Sequence, residues 1–199
     1  MMLMEETEVA QAALPLAAFR AHLRQGTGFA EDGLQDVVLE SFLRAAVSAI
    51  EARTGKILLK RDFRLTLASW RDATGQAMPV APVDAVTGVA VLDRDGVERV
   101  VDPALYRLER DSQRPRLVPV AALLPVVPQG GSVVIAFQAG MGANFDALPA
   151  DMRQAVMLLA AHYYEYRDET GLSAGCMPFG VTSLIERYRT VRMLGGGAA

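Results

Sequence analysis

Few residues in this chain could do chemistry. There are two histidines, His22 and His162, and one cysteine, Cys176. His162 and Glu165 stand three apart, which on a helix puts them on one face as two possible metal ligands. A zinc-type site needs more donors than this pair supplies, and a polar edge on a core helix uses the same two residues. Asp93-Arg94-Asp95-Gly96 has the acidic opening of a calcium loop, but the remaining ligands are missing. The same four residues suit a hairpin turn, with Gly96 free to take a positive φ. Thr54-Gly55-Lys56 is no phosphate-binding loop, because the upstream glycine is absent and Ile57 stands where a hydroxyl is required. Cys176 has no histidine near it in sequence to activate a thiolate. There is no Gly-x-Ser-x-Gly elbow and no dinucleotide fingerprint. The expectation is therefore a protein without catalytic residues, cofactor or metal, whose work is contact with other proteins.

The composition narrows the field further. The 199 residues are 51% hydrophobic and 22% charged, with a formal charge of −3. Gripping nucleic acid through phosphates needs a surplus of basic residues, which this chain lacks. A single cysteine allows no internal disulfide and fits a reducing compartment. No apolar run approaches the roughly 18 residues that span a membrane. The acidic start, MMLMEETEVAQ, does not read as a signal peptide.

The elements that must position any surface are clearer. Leu148 to Asp168 is the organising stretch. Met152, Val156, Leu159, Tyr163 and Tyr166 follow at steps of four, three, four and three, which is one helix face. Ala155, Leu158 and His162 widen it, and Ala160 and Ala161 leave no polar side in the middle. Such a helix needs cover on more than one side, from the rest of the chain or from a neighbouring subunit. Earlier helices are expected at 15–25 and 33–53, the second with Leu34, Val38, Phe42, Ala45, Ala49 and Ile50 on its face and Gly55 at its end.

Between these helices the period changes to two. Phe63, Leu65 and Leu67 alternate with Arg64 and Thr66 as a half-buried strand. Further strands are expected at 86–92, 97–101, 106–109, 116–120 and 132–138, with the proline-bearing segment 78–83 as an edge or connector. A last helix is expected from Thr182 to Leu194. The order is α+β: a helical core from 14–56 and 146–194, with a small β module, 57–140, inserted between the second and third helices. Residues 1–13 and 195–199 are expected to be flexible. Leu34, Phe42, Ile50, Leu159 and Tyr163 are expected to be buried together.

Four segments carry a resemblance to a known family. They are Arg44-Ala45-Ala46 leading to Ile50-Glu51-Ala52-Arg53-Thr54-Gly55-Lys56; Met78-Pro79-Val80-Ala81-Pro82-Val83 followed by Val89 to Gly96; Val133 to Gly140 with Leu148 to Ala155 and His162 to Arg167; and Pro178-Phe179-Gly180-Val181 with Leu184-Ile185 and Tyr188-Arg189. In order and spacing the chain resembles the head–tail connector, or adaptor, proteins of tailed bacteriophages and gene transfer agents, over about residues 14 to 192. Met78 replaces the family's usual leucine, a swap that conserves volume.

The resemblance implies a structural protein, not an enzyme. It implies a twelvefold homo-oligomeric ring below the portal, at the head–tail junction of a virion or phage-like particle assembled in a bacterial cytoplasm. The ring would join capsid to tail, meet the portal protein and a next tail component such as a stopper, and extend the DNA channel without sequence-specific binding or membrane contact. Alternatives are another tail-interface ring, such as a stopper or tail terminator, or a small metal-binding protein or enzyme using His162, Glu165 and Cys176. A mild negative charge suits a channel through which DNA slides. Within the last helix, Leu184 and Tyr188 are expected as anchors and Arg189 and Arg192 as polar contacts to the portal or a neighbouring subunit. The alternative is a helix folded back on its own core.

Overall fold

The computed structural model describes residues 1–24, 33–167 and 177–189. In chain order these form β1 (Met2–Glu5), α1 (Leu16–His22), α2 (Gly33–Thr54), β2 (Arg61–Leu67), β3 (Gln76–Ala77), β4 (Val83–Leu92), β5 (Glu98–Val100), β6 (Tyr106–Glu109), β7 (Arg116–Pro119), β8 (Ser132–Ala139), α3 (Ala150–Glu165) and α4 (Phe179–Ile185). The fold is α+β, with two antiparallel sheets ordered β1-β2-β8-β4-β5 and β3-β7-β6.

Alternation builds the β part. On β2, Phe63, Leu65 and Leu67 are buried, and on β8 so are Val133, Ile135, Phe137 and Ala139. Phe63 faces Phe137 across the ladder, with the rings stacked 5.5 Å apart. The smaller sheet closes the same core with Tyr106 and Leu117, joined by Met78 beside β3.

A second apolar cluster gathers α1, α2, α3 and α4 together with Leu58, Leu59, Phe145 and Leu148. On α3, seven residues from Met152 to Ala161 are buried. Their cover comes from this chain: α2 packs along one side, α4 along another, and α1 touches both α2 and α3. The broad apolar girth of α3 is thus satisfied without a second subunit.

Several expectations are corrected. The buried face of α2 is Leu39, Leu43, Ala46, Val47 and Ile50, while Val38 and Ala45 are exposed and Phe42 is half-buried. The helix is apolar over so wide an arc that two rows fit helical spacing, and packing on α3 selects one. Ile50 and Leu159 are buried as expected and Tyr163 is half-buried; the side chain of Leu34 lies outside the described residues. Residues 1–13, expected to fray, hold β1, which pairs antiparallel with β2 from Met2↔Thr66 to Glu5↔Phe63. All four β1 side chains are exposed, so no burial signal announces the strand. The last helix begins at Phe179 rather than Thr182 and ends at Ile185, followed by a 3-10 turn, Glu186–Tyr188.

Candidate functional site

The C-terminal segment lies on the helical core. Val181 and Ile185 of α4 are fully buried against α3, and Leu184 is half-buried beside them. This is the folded-back arrangement. It places Tyr188 beside the first turn of α3, where its O–H lies 2.8 Å from Asp151 Oδ1 and 3.0 Å from Oδ2. Arg187 Nη2 lies 2.7 Å from Asp151 Oδ2, and its guanidinium covers the Tyr188 ring at 4.7 Å. Burial pushes the Tyr188 phenol pKa up; the Arg187 hydrogen bond opposes this, and Asp151 adds to it. Arg189 is exposed and pairs with Glu186 at 2.9 Å. The chain turns extended at Arg189. Of the four expected contact residues, Leu184, Tyr188 and Arg189 thus sit together at one end of the helical core. Arg192 lies outside the described residues, as does Cys176.

Tyr188 also lines a cleft of about 470 Å³ between the helical core and the β module, with Lys56, Gln113, Met141 and Pro149. Lys56 is fully buried. Its ammonium donates to the Ser112 carbonyl at 2.8 Å and to Gln113 Oε1 at 2.6 Å, tying the end of α2 to the β6–β7 loop. Burial lowers the Lys56 pKa, and the charge of Asp111 opposes that shift. The Thr-Gly-Lys stretch is a helix end: Gly55 takes φ 70°, and Thr54 Oγ1 donates to the Ile50 carbonyl and accepts from the Lys56 N–H.

The other chemistry candidates resolve locally. Asp93 Oδ1 accepts from the N–H groups of Asp95 and Val97, each at 2.9 Å, so the carboxylate organises its own turn, with Gly96 at φ 81°. His162 lies 4.7 Å from the Tyr166 ring. Among the described residues no three His, Cys, Asp or Glu side chains cluster as metal ligands. His22 is exposed at the end of α1.

Sequence reasoning missed a buried ion pair. Glu51 on α2 holds Arg61 at the start of β2, with Nη2–Oε2 at 2.7 Å and Nη1–Oε1 at 3.1 Å. Glu51 Oε1 also accepts from the Leu58 N–H at 2.7 Å, and Arg61 Nε lies 2.7 Å from Glu5 of β1. Burial alone would lower the Arg61 pKa; the contacts to Glu51 and Glu5 together outweigh it and hold the guanidinium above its usual value. The available signal was parity, since Arg61 shares the buried face of Phe63 and Leu65.

No family model and no curated relative matches the chain. Solved structures do. A chain in the neck of an empty gene transfer agent (GTA) particle, computed with C6 symmetry, is 55% identical with a TM-score of 0.89, covering 98% of this chain and 99% of that one. A chain in the virion of a native gene transfer agent particle is 54% identical, TM-score 0.85, over the same shares. One in the neck of a native particle, computed with C12 symmetry, is 50% identical, TM-score 0.84, again over 98% and 99%. Half or more of the residues are identical from end to end on one fold, and the chain therefore belongs to the family of gene transfer agent neck proteins.

Proposed function

We propose that this chain is a structural protein of a particle's neck, at the head–tail junction, where it forms a twelvefold adaptor ring between portal and tail and lets DNA pass without sequence-specific binding. The observation that carries this reading is the end-to-end identity of 50–55% to chains in necks solved with C6 and C12 symmetry. A twelve-copy ring also obeys sixfold symmetry, whereas a six-copy ring does not obey C12, so twelve copies suit both. On this reading the protein has no catalytic turnover, and its partners are its own copies, the portal and the next tail component.

The two apolar clusters support treating 14–56 with 146–194 as a helical unit carrying 57–140 as an inserted module. We place the portal or subunit contact at Leu184, Tyr188, Arg189 and Arg192. Leu184 and Tyr188 are already half-used by this chain, so the outward Arg189 would bear most of the new contact. The test is cryo-electron microscopy of particles made with and without the protein. The reading expects tailless, portal-bearing capsids without it, and twelve copies below the portal when it is restored. Tailed particles in its absence, or density elsewhere, would reject it.

A further inference from the structure

A closed ring is built from head-to-tail contacts, so each copy needs two different complementary faces. The girth of α3 is already covered within the chain, so those faces lie elsewhere. Among the described residues, two extended faces are candidates. The first is the solvent side of α2, where Val38, Ser41, Ala45, Ser48 and Ala52 follow at steps of three, four, three and four, all exposed and none charged. Val38 is 45% exposed, and the adjoining Val37 is 65%. The Ser41 hydroxyl is turned back onto the Val38 carbonyl at 2.6 Å, so even this polar residue offers a closed surface.

The second is the outer face of the five-stranded sheet. The ladder aligns Met2, Thr66, Val134, Ala90 and Val100 in one row across all five strands. At its ends Met2 is 52% and Val100 72% exposed. Between them Thr66 and Val134 are half-buried and the small Ala90 is buried, but in the next row a Cβ at Gly88 would meet nothing within 4 Å, so the face has room above it there. None of the helices packs extensively on these strands among the described residues.

The two faces match in length and in charge. From Val38 to Ala52 the stripe runs about 21 Å at 1.5 Å per residue. Five strands span about 19 Å at their usual spacing. Just beyond Ala52 stands Arg53, exposed; on the sheet's outer face beside Val100 stands Glu98, also exposed; neither is ion-paired among the described residues.

Resting on the ring reading above, we infer that α2 of one copy lies across the outer sheet face of the next, with Val38 toward Met2, Ala45 over Val134 and Arg53 reaching Glu98. The partner is a second copy of this chain, and the contact is heterologous.

The test uses full-length protein carrying Cys176→Ser, assembled into particles and treated with a short bismaleimide. Ala45→Cys and Val134→Cys in the same chain should give a ladder of dimers, trimers and higher multiples. Either cysteine alone should give no ladder and no dimer. In a second arm, Arg53→Glu or Glu98→Arg alone should lower incorporation tenfold or more, since like charges then meet at every contact of the ring. The two together should restore it. Protein present at neck stoichiometry but without a ladder overturns this interface and leaves the ring reading standing. Dimers from Ala45→Cys alone would mean α2 meets α2, which also overturns it. Protein absent from the neck overturns both.

Discussion

Arg61 and Glu51 meet end-on inside the protein, two N–H···O contacts of 2.7 and 3.1 Å from the two Nη atoms joining the first strand of the β module to the end of the long helix. Removing one partner leaves the other charge buried, which costs about 3–5 kcal/mol. Arg61→Met is therefore expected to lower unfolding free energy by about that amount in urea titrations, and Glu51→Leu by less, because Glu5 still meets the Arg61 Nε at 2.7 Å. The double variant should recover much of the loss, because a well-packed apolar pair often replaces an ion pair at little cost. The Leu58 N–H, which also donates to Glu51, keeps that recovery incomplete. Single variants as stable as the wild type would show that the pair is not holding the two parts together.

Gly140 is the second joint between the β module and the helical core. It takes φ 145°, and a Cβ there would sit 2.5 Å from both the N and the Cα of Lys60. Backbone atoms cannot give way as a flexible side chain can. Gly140→Ala is expected to cost about 3 kcal/mol from strain and clash, read as a lowered urea midpoint. Gly88→Ala is the control: its Cβ would point into open space, and stability should stay within about 0.5 kcal/mol. Equal losses at the two glycines would contradict this account.

Much of the fold was legible because its signals are local. The alternation at Phe63, Leu65 and Leu67 and the spacing from Met152 to Leu159 each fix an element without reference to the rest. The β1 strand was not legible, since Met2 to Glu5 bury nothing and the strand is defined only by a ladder to β2, sixty residues away. The face of α2 was misread for a related reason: Val38 and Leu39 are both apolar, and only contact with α3 decides between their rows. At the candidate site, the sequence showed which residues of the last helix are apolar. It could not show that Asp151, thirty-seven positions earlier, receives the Tyr188 hydroxyl. Nor could spacing reveal that the Lys56 ammonium meets the β6–β7 loop.

Lys56 makes a prediction about pH. Its folded-state pKa lies below the ordinary 10.5 because burial disfavours the charged form. Between those two values the unfolded chain binds more protons than the folded one, so stability rises with pH. Below the folded pKa both states are protonated and the full cost of burying the charge is present; above 10.5 both are neutral and it has gone. Lys56→Met lacks this dependence. Urea titrations from pH 7 to 10.5 should show the wild type gaining on the variant as pH climbs, with the other titrating groups cancelling between them. Parallel curves would mean that the ammonium is not penalised by its site.

Tyr188 and Arg189 are neighbours with different expected duties, and separating them tests the C-terminal contact. Tyr188 is committed inward: its hydroxyl meets both oxygens of Asp151. Tyr188→Phe removes a hydrogen bond to a charged, partly buried acceptor and should cost about 1–2 kcal/mol of stability. Asp151→Asn should cost a similar amount, because it also removes the charge that Arg187 meets at 2.7 Å. Arg189 is exposed, and its pair with Glu186 spans only three residues on the surface. Such pairs contribute little, so Arg189→Ala should leave the urea midpoint nearly unchanged. If the segment meets the portal, that same variant should co-sediment less with portal-bearing capsids, whereas Tyr188→Phe should bind in proportion to the fraction folded. Full binding by Arg189→Ala would remove the portal contact from this surface, and a large loss of stability in that variant would show that Arg189 belongs to the core's own support.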